Sequence, residues 1–312
     1  MSTARHTQGR GSVDVDDSLA AGVVVGVDET EQSLTAVDAA AVEAAMRGRP
    51  LRVVHADPFA IPGYAVWRRP DPGSQQYVDR AVELARADHP GLTIEGAVVR
   101  GSAAEALIEA SRSAELVVIG DRGLSSAARA VLGTVAGRLA LHAACPVMVA
   151  RDGGDPGGPI VLGVDGPVPA DAAAGFAFAE AALRGCSIDA VHAWTHPVSR
   201  GPGDMLPVVF DPALVEAEED RLVAEALAGW CEKYPDVRVR RRLVREHTRH
   251  ALIEAGGEAC MTVIGSHGHG FGLGGRHHTL LDDITLGSVS QHLLHRTPGL
   301  LVVVPHRHLA SP

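Results

Sequence analysis

The chain repeats itself, and that repetition restricts its architecture more than any other feature. VVVGVD ending at Asp28 returns as IVLGVD ending at Asp165, VVHA around His55 returns as AVHA around His192, and ALIEA at Ala106 to Ala110 returns at Ala251 to Ala255. VVIG ending at Gly120 returns as TVIG ending at Gly265, and the pair Gly133-Thr134 returns as Gly287-Ser288. Five landmarks in one order, at a separation that widens along the chain, mark a duplication followed by two small insertions. At 312 residues the chain has room for two units that each bury a core. The Gly/Pro/Asp-rich stretch RDGGDPGGP, from Arg151 to Pro159, reads as the connection between them. The expected organisation is a disordered tail over 1–19, a first domain over 20–151, a linker over 152–158 and a second domain over 159–306.

Within each copy, short β-branched runs alternate with Ala-rich stretches of helical length. That alternation predicts βαβ units, an α/β fold and a parallel sheet covered on both faces. Strands are expected near 22–27, 51–55, 93–99, 116–119 and 146–150, and again near 159–164, 187–192, 237–244, 261–264 and 300–304. Ala36, Val37, Ala40 and Ala44 share a face at helical spacing, which places a helix over Glu31 to Gly48. With 46% hydrophobic residues and only 4% aromatics, the cores are built from Ala, Val and Leu.

Composition also excludes functions. A net charge of -10 argues against nucleic acid, whose capture depends on neutralising phosphates. The run Arg238, Arg240, Arg241 and Arg242 alternates with Val237 and Val239 and reads as the polar edge of a strand. No apolar run approaches the roughly 20 residues that span a bilayer, and the opening MSTARHTQGRGSVDVDD has no apolar segment of leader type. A cytoplasmic protein without membrane insertion is expected. Cys145, Cys186, Cys231 and Cys260 lie far apart without a C-x-x-C pair, so they read as buried thiols rather than a disulfide framework or zinc ribbon.

The chemistry sits after the fourth strand of the first copy. GDRGLSSAARAVLGT places Gly120, Gly123, Gly133 and Thr134 in the spacing G-x2-G-x9-G-[S/T]. Glycines at the end of a buried strand let the chain turn with positive φ and bring amides close to an anion. A helix starting at Gly133 would add its own amides and the Thr134 hydroxyl, favoured by the helix dipole. The Walker G-K-[S/T] is absent, and GVDET stands after the first strand where a dinucleotide-binding G-x-G-x-x-G would be. The second copy keeps Gly265, Gly268, Gly287 and Ser288, but eighteen residues instead of nine separate its second and third glycines. Asp165 survives there, while Pro167 and Pro169 remove two amide donors. His267, His269, His277 and His278 in the longer loop read as a solvated Gly/His segment, and no metal site is assigned to them. His55 and His192, each at the end of a second strand, read as packed and hydrogen-bonded. The Pro/Gly-rich stretch from Asp57 to Gly73, with Tyr64 and Trp67, is long enough to be a functional loop. No nucleophile elbow or H-E-x-x-H pair is present.

The glycine spacing, the Asp that closes the first strand of each copy, and Thr30 and Ser33 in the pattern D-x-[S/T]-x-x-S resemble the ATP-binding branch of the universal stress protein family, over about Ala21 to Pro305. The resemblance implies two tandem Rossmann-like domains of the adenine nucleotide alpha hydrolase type, each a five-stranded parallel sheet of order 3-2-1-4-5. It implies ATP, with or without Mg2+, as ligand. Asp28 would approach adenine or ribose, the backbone around Val53 would border adenine, and Gly120, Gly123, Gly133 and Thr134 would hold ribose and phosphates. Asp165, Gly265, Gly268, Gly287 and Ser288 are the matching positions of the second copy. It further implies a regulatory, stress-response protein acting through unknown protein partners. A scaffold with vestigial sites and a slow ATPase are the alternatives. Family members of one domain pair through their last strand, so CPVMVA at Cys145 to Ala150 and LLVVVP at Leu300 to Pro305 are expected to meet inside this chain, with a homodimer as the other possibility. Three departures stand out: Glu29 replaces a glycine, Ala136 replaces a hydroxyl, and Asp121 puts a carboxylate beside a phosphate loop, where repulsion would weaken binding unless the side chain turns away or a cation intervenes.

Overall fold

The computed structural model describes residues 22–57, 72–121, 135–166, 172–194, 212–266 and 286–305. The first copy runs β1 (Val23–Val27), α1 (Gln32–Arg47), β2 (Leu51–Asp57), α2 (Pro72–Asp88), β3 (Ile94–Arg100), α3 (Ala103–Ala110), β4 (Leu116–Gly120), α4 (Val135–His142) and β5 (Val147–Ala150). The second runs β6 (Ile160–Gly163), α5 (Ala172–Arg184), β7 (Ile188–Ala193), α6 (Pro212–Lys233), β8 (Val239–Val244), α7 (Thr248–Gly256), β9 (Met261–Gly265), α8 (Ser288–Arg296) and β10 (Leu301–Val304). All ten strands form one sheet of order β3-β2-β1-β4-β5-β10-β9-β6-β7-β8, so each half has the expected 3-2-1-4-5 order.

The alternation of side chains along each strand divides the interior into two apolar layers. One holds Val23, Val25, Val53 and Met148 of the first half with Ile160, Leu162 and Val302 of the second, beneath α1, α2, α5 and α6. The other holds Val24, Val54, Val147 and Val149 with Val161, Leu301 and Val303, beneath α3, α4, α7 and α8. Alanines at helical spacing let α1 lie close to the sheet, and its Ala36, Ala40 and Ala44 are fully buried. The helix ends where Gly48 adopts a left-handed φ of 62° and returns its N–H to the Ala45 and Ala44 carbonyls.

The halves meet at β5 and β10, which pair antiparallel with Met148 opposite Val302, Val149 opposite Leu301 and Val147 opposite Val303. All six side chains are inaccessible to solvent, and both apolar layers pass across the junction without interruption. The outer edges are β3 and β8. On β8, Arg240 and Arg242 pair with Asp189 and Arg241 pairs with Asp220. The arginine run is therefore the polar edge of the sheet, and charged edges of this kind discourage pairing with other chains.

A buried ion cluster reinforces the junction. Arg47 on α1 bonds Glu43 at 2.9 Å and reaches across to Glu180 on α5, while Arg184 bonds Glu180 and reaches back to Glu43. The cluster is an i,i+4 Glu–Arg pair from each copy, related by the pseudo-two-fold axis. Glu43 is 1% and Glu180 0% exposed. Burial, followed by repulsion from Glu180, raises the Glu43 pKa despite the opposing pull of Arg184 and Arg47. A carboxyl raised in the folded state contributes stability that is fully present below its usual value of 4.5 and is lost as pH rises through the raised value. In urea unfolding across a pH series, the stability of wild type relative to Glu43→Gln should therefore decline as pH rises above 4.5. A difference that is flat or grows with pH would show that the two arginines dominate this site.

Candidate functional site

In a 3-2-1-4-5 sheet the winding reverses between the first and fourth strands, and the carboxyl ends of those strands leave a crevice. In the first half this crevice opens as a cavity, at the place where open α/β sheets hold their ligands. Gly26 and Ile119 form its base, Val54, Ala56, Leu107 and Ala136 its apolar walls, and Asp28, Thr30, Ser33 and Gly120 its polar rim.

The rim is built from the β1–α1 turn. The Asp28 Oδ1 accepts the Thr30 N–H at 3.0 Å and the Thr30 hydroxyl at 2.5 Å, while the Ser33 hydroxyl donates to the Thr30 carbonyl at 2.7 Å. An acidic side chain that takes the amide two residues on is the usual way Asp folds a turn. It fixes the carboxylate of Asp28, half-buried at the strand end, toward the cavity mouth. The Thr30 hydroxyl proton is thus committed to Asp28, leaving that hydroxyl oxygen as an acceptor.

The Val53 side chain is fully buried in the apolar layer on the other face of the sheet, and because side chains alternate along β2 its neighbour Val54 lines the cavity with Ala56. One expectation changes. Gly120 is not at positive φ. Glycine is required there because a Cβ would lie 2.8 Å from the Gln32 carbonyl oxygen, where β4 runs against the start of α1. Gly123, Gly133 and Thr134 of the first loop, Gly268 of the second, Tyr64, Trp67 and the four loop histidines lie outside the described residues.

The carboxylate of Asp121 meets its cation within the chain. Its Oδ2 lies 3.7 Å from Nε of Arg151, which follows β5 and is largely buried. The same guanidinium donates to the Thr297 carbonyl at 2.9 Å and to the Leu294 carbonyl, capping the end of α8 in the second half. Burial lowers the Arg151 pKa and Asp121 opposes that shift. No motif of the sequence points to Arg151. The signal lay in comparing the copies: Asp121 and Arg151 occupy positions that are Ser266 and Pro305 in the second half, so both members of the pair change together.

The second site differs in its details. Asp165 is exposed, and Gly166 takes a left-handed φ of 103° in place of the Asp28–Thr30 turn. Gly287 precedes the first residue of α8, Ser288 is exposed, and the Gly287 N–H donates to the Ser266 carbonyl at 3.2 Å. The Ser290 hydroxyl, at the position of Ala136, donates to the Gly265 carbonyl at 2.9 Å. Two polar groups at the start of α8 are therefore engaged by the end of β9. His55 and His192 are structural in both halves: each ring is 7% exposed, and each Nδ1 lies 2.9 Å from the carbonyl of Val27 or Val164. His192 also meets Glu219 at 2.8 Å, whereas the ring of His55 packs on Tyr77.

Among the described residues no helix is long and apolar enough to cross a membrane. The solved universal stress protein of Archaeoglobus fulgidus matches 93% of this chain and 98% of its own at 16% identity, with a TM-score of 0.59, a likeness of fold. A universal stress protein in complex with cAMP is 30% identical over 43% of this chain and 98% of its own, with a TM-score of 0.36. A universal stress protein of Mycobacterium tuberculosis is 38% identical over 293 residues, covering 88% of this chain and 93% of the relative. The model of the universal stress protein family matches twice, over residues 22–151 and 158–305. With both halves matched and the doubled sheet in place, the chain belongs to the universal stress protein family.

Proposed function

We propose that the first half binds ATP, with or without Mg2+, and that the protein is a cytoplasmic stress-response regulator whose nucleotide-dependent conformation is read by protein partners. The observation that carries this reading is the cavity at the carboxyl ends of β1, β2 and β4, where apolar walls meet the fixed carboxylate of Asp28. Val54, Ala56 and Leu107 suit a flat heteroaromatic base, and Asp28 accepts from an adenine amino group or a ribose hydroxyl. The Gly120 end of β4 then faces the phosphates, and the glycine spacing assigns Gly123, Gly133 and Thr134 to hold them. Nucleotide affects partners only as far as it binds one conformation better than another. Hydrolysis is at most slow, because Asp28 is held by Thr30 and no second acid or base on the described rim accompanies it.

A scaffold role suits the second half, because Asp165 is exposed and the Ser290 hydroxyl and Gly287 amide are engaged internally. One nucleotide per chain should bind tightly in calorimetry. Asp28→Ala should weaken binding roughly 10- to 100-fold, as expected when a ligand donor loses its charged acceptor, and Asp165→Ala should leave the tight site unchanged. Equal losses from the two variants, or loss from Asp165→Ala alone, would reverse the assignment.

The Asp121–Arg151 pair adds a second test. Arg151→Met leaves Asp121 uncompensated beside the phosphates and the α8 carbonyls without their donor, so it should lower both ATP affinity and stability, the latter by about 1–3 kcal/mol. Adding Asp121→Asn should restore affinity but not stability, and a double-mutant cycle separates the two effects. Affinity that stays low in the double variant would show that Arg151 serves the site in some other way.

A further inference from the structure

Two positions that form an ion pair in the first half hold only bases in the second. Glu105 of α3 faces Arg138 of α4 at 3.6 Å. The repeat of ALIEA puts His250 at the position of Glu105 and Arg249 at that of Ala104, and the repeat of Gly133-Thr134 as Gly287-Ser288 puts His292 at the position of Arg138 and Arg296 at that of His142. The helices α7 and α8 pack side by side as α3 and α4 do, over the same apolar layer. Arg249, His250 and Arg296 are exposed and His292 is half-buried. The exposed ring of His247 meets that of His250 edge-on, with centroids 6.1 Å apart. Among the described residues neither Arg249 nor Arg296 meets a carboxylate at ion-pair distance. The one acid of α7, Glu254, stands where Glu109 stands in α3, and α8 carries none. The second half has thus lost the carboxylate of this pair and gained bases around its place.

We propose that the α7–α8 face is a docking surface for an acidic segment of a partner protein. It gives the partner binding proposed above a surface and a chemistry, and it stands whether or not the first half binds nucleotide. Charge complementarity selects the occupant. A chain of net charge -10 repels an extended polyanion such as duplex nucleic acid beyond the patch. A membrane surface calls for apolar side chains to insert, and the exposed large apolar residues Val42, Leu183 and Leu214 lie on α1, α5 and α6, across the sheet. A second copy would have to offer an acid-rich surface such as α6, which stands on the opposite face, and a head-to-tail contact of that kind does not close. A short run of Glu or Asp meets none of these objections, since its carboxylates accept from both guanidiniums and from the imidazoles.

Docking is then coupled to protons. Burial, followed by the charges of Arg249 and Arg296 and then of His250 and His295, lowers His292 below the ordinary histidine value of 6.5. Carboxylates laid over these groups oppose that shift, so the bound chain holds a proton that the free chain has released. Affinity for the acidic segment therefore rises as pH falls through 6.5.

The test titrates the full chain into a fluorescein-labelled Glu/Ser peptide at low ionic strength, with a Gln/Ser peptide of equal length as control. Anisotropy should report binding of the first peptide and not the second, weakened by salt and strengthened as pH falls through 6.5. Arg249→Ser combined with Arg296→Ser should weaken it roughly fivefold, as the loss of two exposed charge pairs. His250→Glu combined with His292→Arg restores the pair of the first half and should remove the strengthening at low pH. Hydrogen exchange should show the peptide protecting residues 245–256 and 288–296. No nucleotide is present, so a failure of ATP to bind leaves this result readable, and a failure of docking leaves ATP binding untouched. Equal affinity for both peptides, affinity that neither double variant changes, or protection confined to other segments would overturn the proposal. So would phosphatidylglycerol vesicles that protect the same helices more strongly at matched charge, which would make the face a membrane surface. Self-association in sedimentation that the arginine variant abolishes would overturn it too, by making the occupant a second copy.

Discussion

The antiparallel pairing of β5 with β10 is the contact on which the rest of the molecule depends. Each half alone would present a fully apolar last strand at a sheet edge, and such an edge recruits other strands. Joining the two edges inside one chain satisfies their backbone groups, extends both apolar layers across the junction and leaves the charged or partly exposed β3 and β8 as the outer edges. The interface is self-complementary in the manner of a two-fold dimer. Glu43 and Arg47 of one copy face Arg184 and Glu180 of the other, and each copy contributes the same i,i+4 pair. Four buried charges of balanced sign contribute less to net stability than an apolar replacement would, but removing one leaves its partners uncompensated. The cluster thereby penalises any register in which the two helices fail to align.

Fusion of the two copies into one chain lets them diverge. In an assembly of identical subunits an Asp after the fourth strand and an Arg after the last strand would appear in every copy. Here only the first half carries Asp121 and Arg151, and the Arg reaches into the second half to cap α8. The second half has Ser290 where the first has Ala136, and its hydroxyl is engaged by Gly265. One half thus presents a cavity with a fixed carboxylate, while the other directs the matching polar groups into its own backbone. The link through Arg151 connects the end of β4 beside the first cavity to the end of α8 in the second half.

Much of this was legible in the residues. Short, nearly continuous runs of Val, Ile and Leu located the ten strands of the sheet to within a few residues, because buried parallel strands tolerate little else. The duplicated landmarks made the two-copy organisation plain, and Asp28 and Gly120 fall on the cavity rim. Other features were hidden because they depend on contacts between distant segments. Alternation along β2 decides that Val54 rather than Val53 faces the cavity, and a shift of one residue exchanges the faces. The role of Gly120 follows from how closely β4 passes the Gln32 carbonyl, a distance that no motif encodes.

The central claim is that a doubled fold holds one nucleotide site, in its first half, at the ends of β1 and β4. Photolabelling the intact chain with an azido-adenine nucleotide, with peptide mapping and competition by unmodified ATP, tests it most directly. The account predicts label on peptides carrying residues 22–57 or 103–121, suppressed by ATP and lost in Asp28→Ala. Label confined to the second half, or first-half label that ATP does not displace, would contradict it.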